Sequence, residues 1–216
     1  MENVIAIDGP GGAGKSTIAR LLAEELGYLH LDTGAMYRAV TLAALNQNIN
    51  FKDEEALTET AEEIEIDFNE DGDIFLNGEN VSSEIRTQAV NENVSKTAAV
   101  KGVRETLVKK QKKLAEEHKV VMDGRDITTV VLPDAEHKFY LTASLEERAR
   151  RRYEEMKSKD MQVSLENIKE NIKNRDKLDS EREHSPLKKA EDAVEIDSTE
   201  LSIEEVVEKI KSFINW

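Results

Sequence analysis

The sequence predicts an α/β fold: a parallel sheet flanked by helices, interrupted by a small antiparallel sheet and carrying a helical lid. Three observations predict it. The apolar run Val4 to Ile7 enters a glycine-rich turn and then a helix with Ile18, Leu21, Leu22 and Leu26 on one face. Strand and helix alternate again at 28–48, which argues for parallel strands with helices on both faces. Between 60 and 83 the hydrophobic period changes to two and two turn signals fall close together, a spacing that only antiparallel pairing satisfies.

The elements follow in order. The first helix runs from about Gly14 to Leu26, with Gly27 as its C-cap. Tyr28 to Leu31 is a short strand, and Asp32-Thr33-Gly34 opens a second helix that reaches about Asn48. Asp53 to Glu63 is a short acidic helix. Ile64, Ile66 and Phe68 alternate with Glu65 and Asp67, Asn69 to Gly72 form a turn, Ile74 to Leu76 a second strand, and Asn77-Gly78 a hairpin signal leading to Asn80-Val81. Helices return at Glu84 to Ala98 and Lys101 to Glu117. The buried strand Val120 to Met122 ends at Asp123-Gly124-Arg125-Asp126, and Lys138 to Leu141 is another strand. A basic helix follows from Leu145 to Lys157, and Ser164 caps a helix reaching about Leu178. Residues 175–186 hold too few apolar side chains for a core and are expected to be exposed and mobile. Val194 to Asp197 is the last strand, and Ser202 to Glu205 is a capping box for a helix ending near Trp216. One domain is expected over 1–216, with a core of about 1–59, 84–144 and 187–216, an inserted sheet at about 60–83 and a lid at about 145–186.

The chemistry is concentrated in Gly9-Pro10-Gly11-Gly12-Ala13-Gly14-Lys15-Ser16-Thr17, which fits G-x-x-x-x-G-K-[ST] and makes the sheet a P-loop sheet. Phosphate oxygens need several donors converging on a small volume, and glycines let main-chain N–H groups crowd inward. The helix start adds its positive end. Lys15 supplies a mobile charge for the β and γ phosphates, and the Ser16 hydroxyl is placed to ligate Mg²⁺.

Net charge is -15, from 45 acidic and 30 basic residues, so nonspecific binding to nucleic-acid polymers or anionic membranes is not expected. Any anionic ligand must be met by a local positive cluster. The chain has no cysteine, which excludes disulfides and thiolate metal sites. The start carries no visible signal peptide, and apolar stretches such as Ala39 to Leu45 fall far short of a membrane span, so a cytoplasmic protein is expected. The four histidines show no metal spacing.

Taken together, IAIDGPGGAGKST, LDTGAMYR, SSEIRT, DGRDITTVV, LTASLEERARRR and RDKLDSEREHSPL span nearly the whole chain. In their order and spacing the chain resembles the bacterial-type cytidylate kinases, which phosphorylate CMP and dCMP with ATP. Thr33 departs from the serine that some members carry, and it keeps the hydroxyl. The resemblance implies ATP on the glycine-rich loop, with Arg148 and Arg152, which share a helix face, reaching its phosphates. It implies that Arg38, Arg125 and Arg182 grip the CMP phosphate, an anion suited to their planar forks. Ser95, Arg104 and Asp126 would meet cytosine, whose amino group needs an acceptor and whose ring nitrogen and carbonyl need donors. Asp179 would meet the sugar, Arg175 belongs to the same lid group, and Thr33 lies in the acceptor site. Lys15, Arg125 and Arg182 carry the transfer, with Mg²⁺ on Ser16.

Residue type alone leaves alternatives open. Asp32 and Thr33 could simply cap a helix. Arg38 could be an exposed helix arginine, Arg125 a strand-end ion pair with Asp123 or Asp126, and Arg182, Arg104 and Ser95 ordinary solvated groups. Rival functions are a kinase for UMP, AMP or a small metabolite such as shikimate, a nucleotide switch, and an interaction protein. The N-K-x-D expected of a GTPase is missing. A monomer that binds ATP with Mg²⁺ and CMP or dCMP, and no nucleic-acid polymer or membrane, is expected.

Overall fold

The structure is a computed structural model and describes residues 3–69, 71–158, 163–182 and 184–214. Parts of three expectations lie outside the described residues: Glu70 of the first hairpin turn, 159–162 and Glu183 of the lid, and the chain end at Trp216.

Five strands form a parallel sheet in the order β2-β6-β1-β7-β8: β1 (Val4–Asp8), β2 (Leu29–Asp32), β6 (Val120–Gly124), β7 (His137–Thr142) and β8 (Val194–Asp197). β1 is buried along its whole length, as a central parallel strand covered on both faces must be. A second sheet, β3 (Ile66–Phe68), β4 (Ile74–Leu76) and β5 (Glu79–Asn80), is antiparallel throughout. The expected fold class, a P-loop sheet with a small antiparallel insertion, is therefore what the chain adopts.

The chain divides into two compact units, Met1–Leu22 with Asp123–Trp216, and Ala23–Met122. The first holds the glycine-rich loop, the start of α1 (Lys15–Leu26), β7, α6 (Leu145–Lys157), α7 (Leu165–Glu181), β8 and α8 (Ile203–Lys211). β1, paired with β7, is buried at its centre, α8 buries Val206, Val207 and Ile210, and just beyond α8 the partly exposed Phe213 lies edge-on to Phe139 of β7 at 6.3 Å. Ser202 and Glu205 form the reciprocal capping box that the sequence predicts at the start of α8.

In the second unit α2 (Thr33–Asn46), α3 (Glu54–Glu63), α4 (Gln88–Ala99) and α5 (Lys101–Glu117) enclose one cluster around Met36, Val40, Leu57, Ile85, Val103 and Leu107. The inserted sheet shares that core through Ile66, Ile74 and Leu76. Asp32 caps α2 by accepting from Ala35 N at 3.1 Å, so its capping role is realised.

Two expected boundaries shift. The helix expected from Glu84 to Ala98 breaks into a 3₁₀ turn at Glu84–Arg86 and α4, because Thr87 is extended at φ -63, ψ 160. Asn91 stabilises the break by donating to the carbonyls of Arg86 (2.9 Å) and Thr87 (2.8 Å). Residues 175–181, expected to be mobile, continue α7 to Glu181. Ion pairs one helical turn apart, Arg175–Asp179 and Lys177–Glu181, add a little local support, and Asp176 and Asp179 tie the segment to Arg148 and Arg125.

Candidate active site

The first unit assembles the loop chemistry. Gly9 sits at φ +148, and a Cβ there would lie 1.9 Å from the Leu141 carbonyl oxygen, so only glycine lets the loop leave β1 against β7. Gly12 and Gly14 also have positive φ. Lys15 is buried and folds back to donate to the Pro10 carbonyl at 2.9 Å, while Thr17 is exposed. Ser16 Oγ donates to Asp123 Oδ2 at 2.7 Å. Asp123 is the penultimate residue of β6 and is nearly fully buried. A hydroxyl and a carboxylate this close offer two hard oxygen ligands. Mg²⁺ takes such a pair together with nucleotide phosphates and water, so the donor set fits that ion. No group of three or more His, Cys, Asp or Glu side chains forms a metal cage among the described residues.

Asp179 draws several cations together. Arg125 Nε donates to its Oδ2 at 3.0 Å, Arg182 Nη1 lies 3.9 Å from its Oδ1, and Arg175 Nε lies 4.0 Å from Oδ2. Arg182 Nη2 also lies 3.7 Å from Asp126 Oδ1, and its Nε donates to the Ser185 carbonyl. Arg125 reaches the loop as well: a Cβ on Gly11 would stand 3.5 Å from its Nη2. Three guanidinium groups against the two carboxylates Asp179 and Asp126 leave a positive surplus, a local positive cluster in a chain of net charge -15. Arg182 is thus built into the cluster, with only 14% of its side chain exposed.

α6 meets the loop from the side of its carbonyls. Arg148 donates to Ala143 O (Nε, 3.0 Å), Gly11 O (Nη1, 3.0 Å) and Asp176 Oδ2 (Nη1, 2.6 Å). Arg151 donates to Ser198 O at 2.6 Å and Ala13 O at 3.4 Å, and pairs with Glu147. Arg152 is 42% exposed and paired with Glu155. Glu147 accepts from Arg150 and Arg151, which hold its carboxyl down at about 2.

In the second unit Arg38 Nη1 donates to Asn91 Oδ1 (2.7 Å) and Ile85 O (3.2 Å), so its guanidinium is held by the turn ahead of α4. Arg104 is buried, donates to Ala98 O at 3.1 Å and stacks 5.4 Å from the Tyr37 ring centre. Ser95 is half-buried on α4, and Thr33 is buried at the first turn of α2.

The structure therefore brings Arg125, Asp126, Arg175, Asp179 and Arg182 into one network in the first unit. It places Thr33, Arg38, Ser95 and Arg104 in the second. Sequence reasoning missed Asp123, Asn91, Arg151 and Asp176. The position of Asp123, at the end of a buried strand in a P-loop fold, was the available signal for it. The other three act through contacts that no local pattern announces.

Comparison with known proteins places the chain in a family. Residues 5–215 match the family model described as cytidylate kinase. A relative named cytidylate kinase from Caldanaerobacter subterraneus subsp. tengcongensis is 58% identical over 95% of this chain and 92% of its own. Another of that name from Bacillus velezensis is 57% identical over 97% of this chain and 95% of its own. Among solved structures, a protein from Eubacterium ventriosum aligns at TM-score 0.54 and 14% identity, covering 98% of this chain and 97% of that one, a likeness of fold alone.

Proposed function

Because the chain belongs to the cytidylate kinase family, we propose that it transfers the γ-phosphoryl group of ATP directly, in line, to the phosphate of CMP or dCMP. The observation that carries this reading is that one structural unit holds both a phosphate cradle and a separate guanidinium cluster at Arg125, Arg175 and Arg182. A nucleotide-hydrolysing switch needs the first without the second.

The Gly9 to Thr17 loop and Lys15 bind the donor's phosphates, with Arg148 and Arg152 of α6 as further donor-side cations. Ser16, with Asp123 beside it, would hold Mg²⁺, which would supply charge neutralisation at the donor's phosphates. Arg125 and Arg182 bind the acceptor phosphate and stabilise the charge on the transferring group. Arg38 and Thr33 also serve CMP. Asp179 accepts from a sugar hydroxyl and Arg175 supports it. Asp126 and Ser95 accept from the cytosine amine and Arg104 donates to the base. Uracil presents a carbonyl where cytosine has its amine, so a carboxylate there disfavours UMP. The lid, about 145–186, covers the reactants and excludes water, which would otherwise take the phosphoryl group. The proposal takes 1–216 as one kinase domain acting as a monomer in the cytoplasm. No helix among the described residues is long and apolar enough to cross a membrane.

A coupled assay of ADP production tests the proposal. With ATP and Mg²⁺, CMP and dCMP are expected to exceed UMP, AMP and shikimate clearly in kcat/KM. Equal rates with UMP or AMP would overturn the assignment of the base.

A further inference from the structure

Asp8 closes β1 with no exposed surface, immediately before the glycine-rich loop, and the proposed chemistry leaves it unused. Its Oδ1 accepts from Ile127 N at 2.9 Å, and its Oδ2 accepts from Thr128 N at 2.8 Å and Thr128 Oγ at 2.6 Å. These donors open the turn Ile127–Val131, whose far end returns to Asp126: Val130 N and Val131 N both donate to the Asp126 carbonyl, at 2.9 and 3.1 Å. The turn is thereby closed on Asp126 and fastened to Asp8. Arg125 and Asp126 are the two residues leading into it.

Burial pushes the Asp8 carboxyl above its ordinary value, with Asp126 adding to the push, against the pull of its three hydrogen bonds. A neutral cap would avoid that desolvation. Only a carboxylate can accept on both oxygens while bringing no donor of its own. An asparagine would turn an N–H toward another N–H. The geometry points to Asp8 as a positioning residue: it sets Arg125 and Asp126 against the glycine-rich loop, and so sets how efficiently the acceptor nucleotide is phosphorylated. The inference rests on the reading of the site as a CMP kinase.

Steady-state kinetics on the wild type, Asp8→Asn, Arg125→Lys and the double variant, with thermal melts on each, test it. Asp8→Asn is expected to lower kcat/KM for CMP at least tenfold while KM for ATP stays within threefold and the protein remains folded at the assay temperature. On the Arg125→Lys background the same substitution is expected to change kcat/KM less than threefold, because an arginine already removed cannot be displaced again. If Asp8→Asn does not fold, Asp8→Ser enters the same cycle with the same thresholds. A loss below tenfold, an equal rise in KM for ATP, or losses that multiply in the double variant overturn the inference. A wild-type protein that makes no ADP in response to CMP overturns the underlying reading as well, whereas an active wild type with an unaffected Asp8 variant overturns the inference alone.

Discussion

Arg148→Met tests how α6 is tied to the loop and to α7. The arginine is 9% exposed and its partner Asp176 22% exposed, at 2.6 Å. Breaking a buried pair from one side leaves a charge without compensation, at a cost of ~3–5 kcal/mol. The partial exposure of Asp176 moves the expectation to the lower end, ~3 kcal/mol. The carbonyls of Gly11 and Ala143 also lose their guanidinium donor, adding about 1 kcal/mol if one of them regains water. A total near 4 kcal/mol corresponds to a fall in thermal midpoint of ~8–16 °C for a chain of this size. Arg148→Lys keeps the charge but not the fork, so it should lose roughly half as much. The double variant Arg148→Met/Asp176→Leu should recover part of the loss, since no carboxylate is then stranded. Calorimetric melts at neutral pH read all three. A midpoint within 3 °C of wild type for Arg148→Met would refute the argument, as would a double variant less stable than the single one.

Gly9→Ala should give no soluble folded protein, or one without measurable ATP binding by calorimetry, since its Cβ would lie 1.9 Å from Leu141 O. Ser16→Ala removes the hydroxyl donated to Asp123, and kcat should fall ~10²-fold with a raised Mg²⁺ requirement, read by magnesium titration at saturating nucleotides. Arg182→Ala should lower kcat ~10³-fold with little change in ATP affinity, and a kcat within twofold of wild type would remove it from the acceptor site. Glu147 is held at about 2 by Arg150 and Arg151, against 4.5 for a free carboxyl. Its folded value lies below the unfolded one, so its contribution to stability is full above about pH 4.5 and is lost as pH falls toward 2. Thermal midpoints between pH 6 and 2 should therefore fall more steeply for wild type than for Glu147→Gln.

What could be read from the sequence was whatever a local pattern encodes. The switch from period 3.6 to period two located the inserted sheet, and the capping box located α8. The glycine spacing located the loop, because its conformational demands fall on consecutive residues. The break at Thr87 was not legible, since Gln88 to Ala99 and Glu84 to Arg86 have compatible helix propensity and the side chain of Asn91 decides the matter. Nor was the end of α7: RDKLDSER lacks the apolar face that predicts a packed helix. The segment is held by packing of α7 against α6 and by the pairs of Asp176 with Arg148 and of Asp179 with Arg125, both far away in sequence.

On the proposed reading, the same pairing lets an acidic protein hold an acceptor-phosphate site without attracting every anion. In Arg125, Arg175 and Arg182 the cluster concentrates cations, yet Asp179 and Asp126 already lie among them. An incoming phosphate must do better than a carboxylate held in place by the fold. A dianionic phosphoryl group with three acceptor oxygens does so, whereas a lone chloride or an exposed surface carboxylate has fewer acceptors to offer each fork. The net charge of -15 is spread over the surface and largely screened beyond ~10 Å at 0.1 M salt, while the arginines act within a few ångströms.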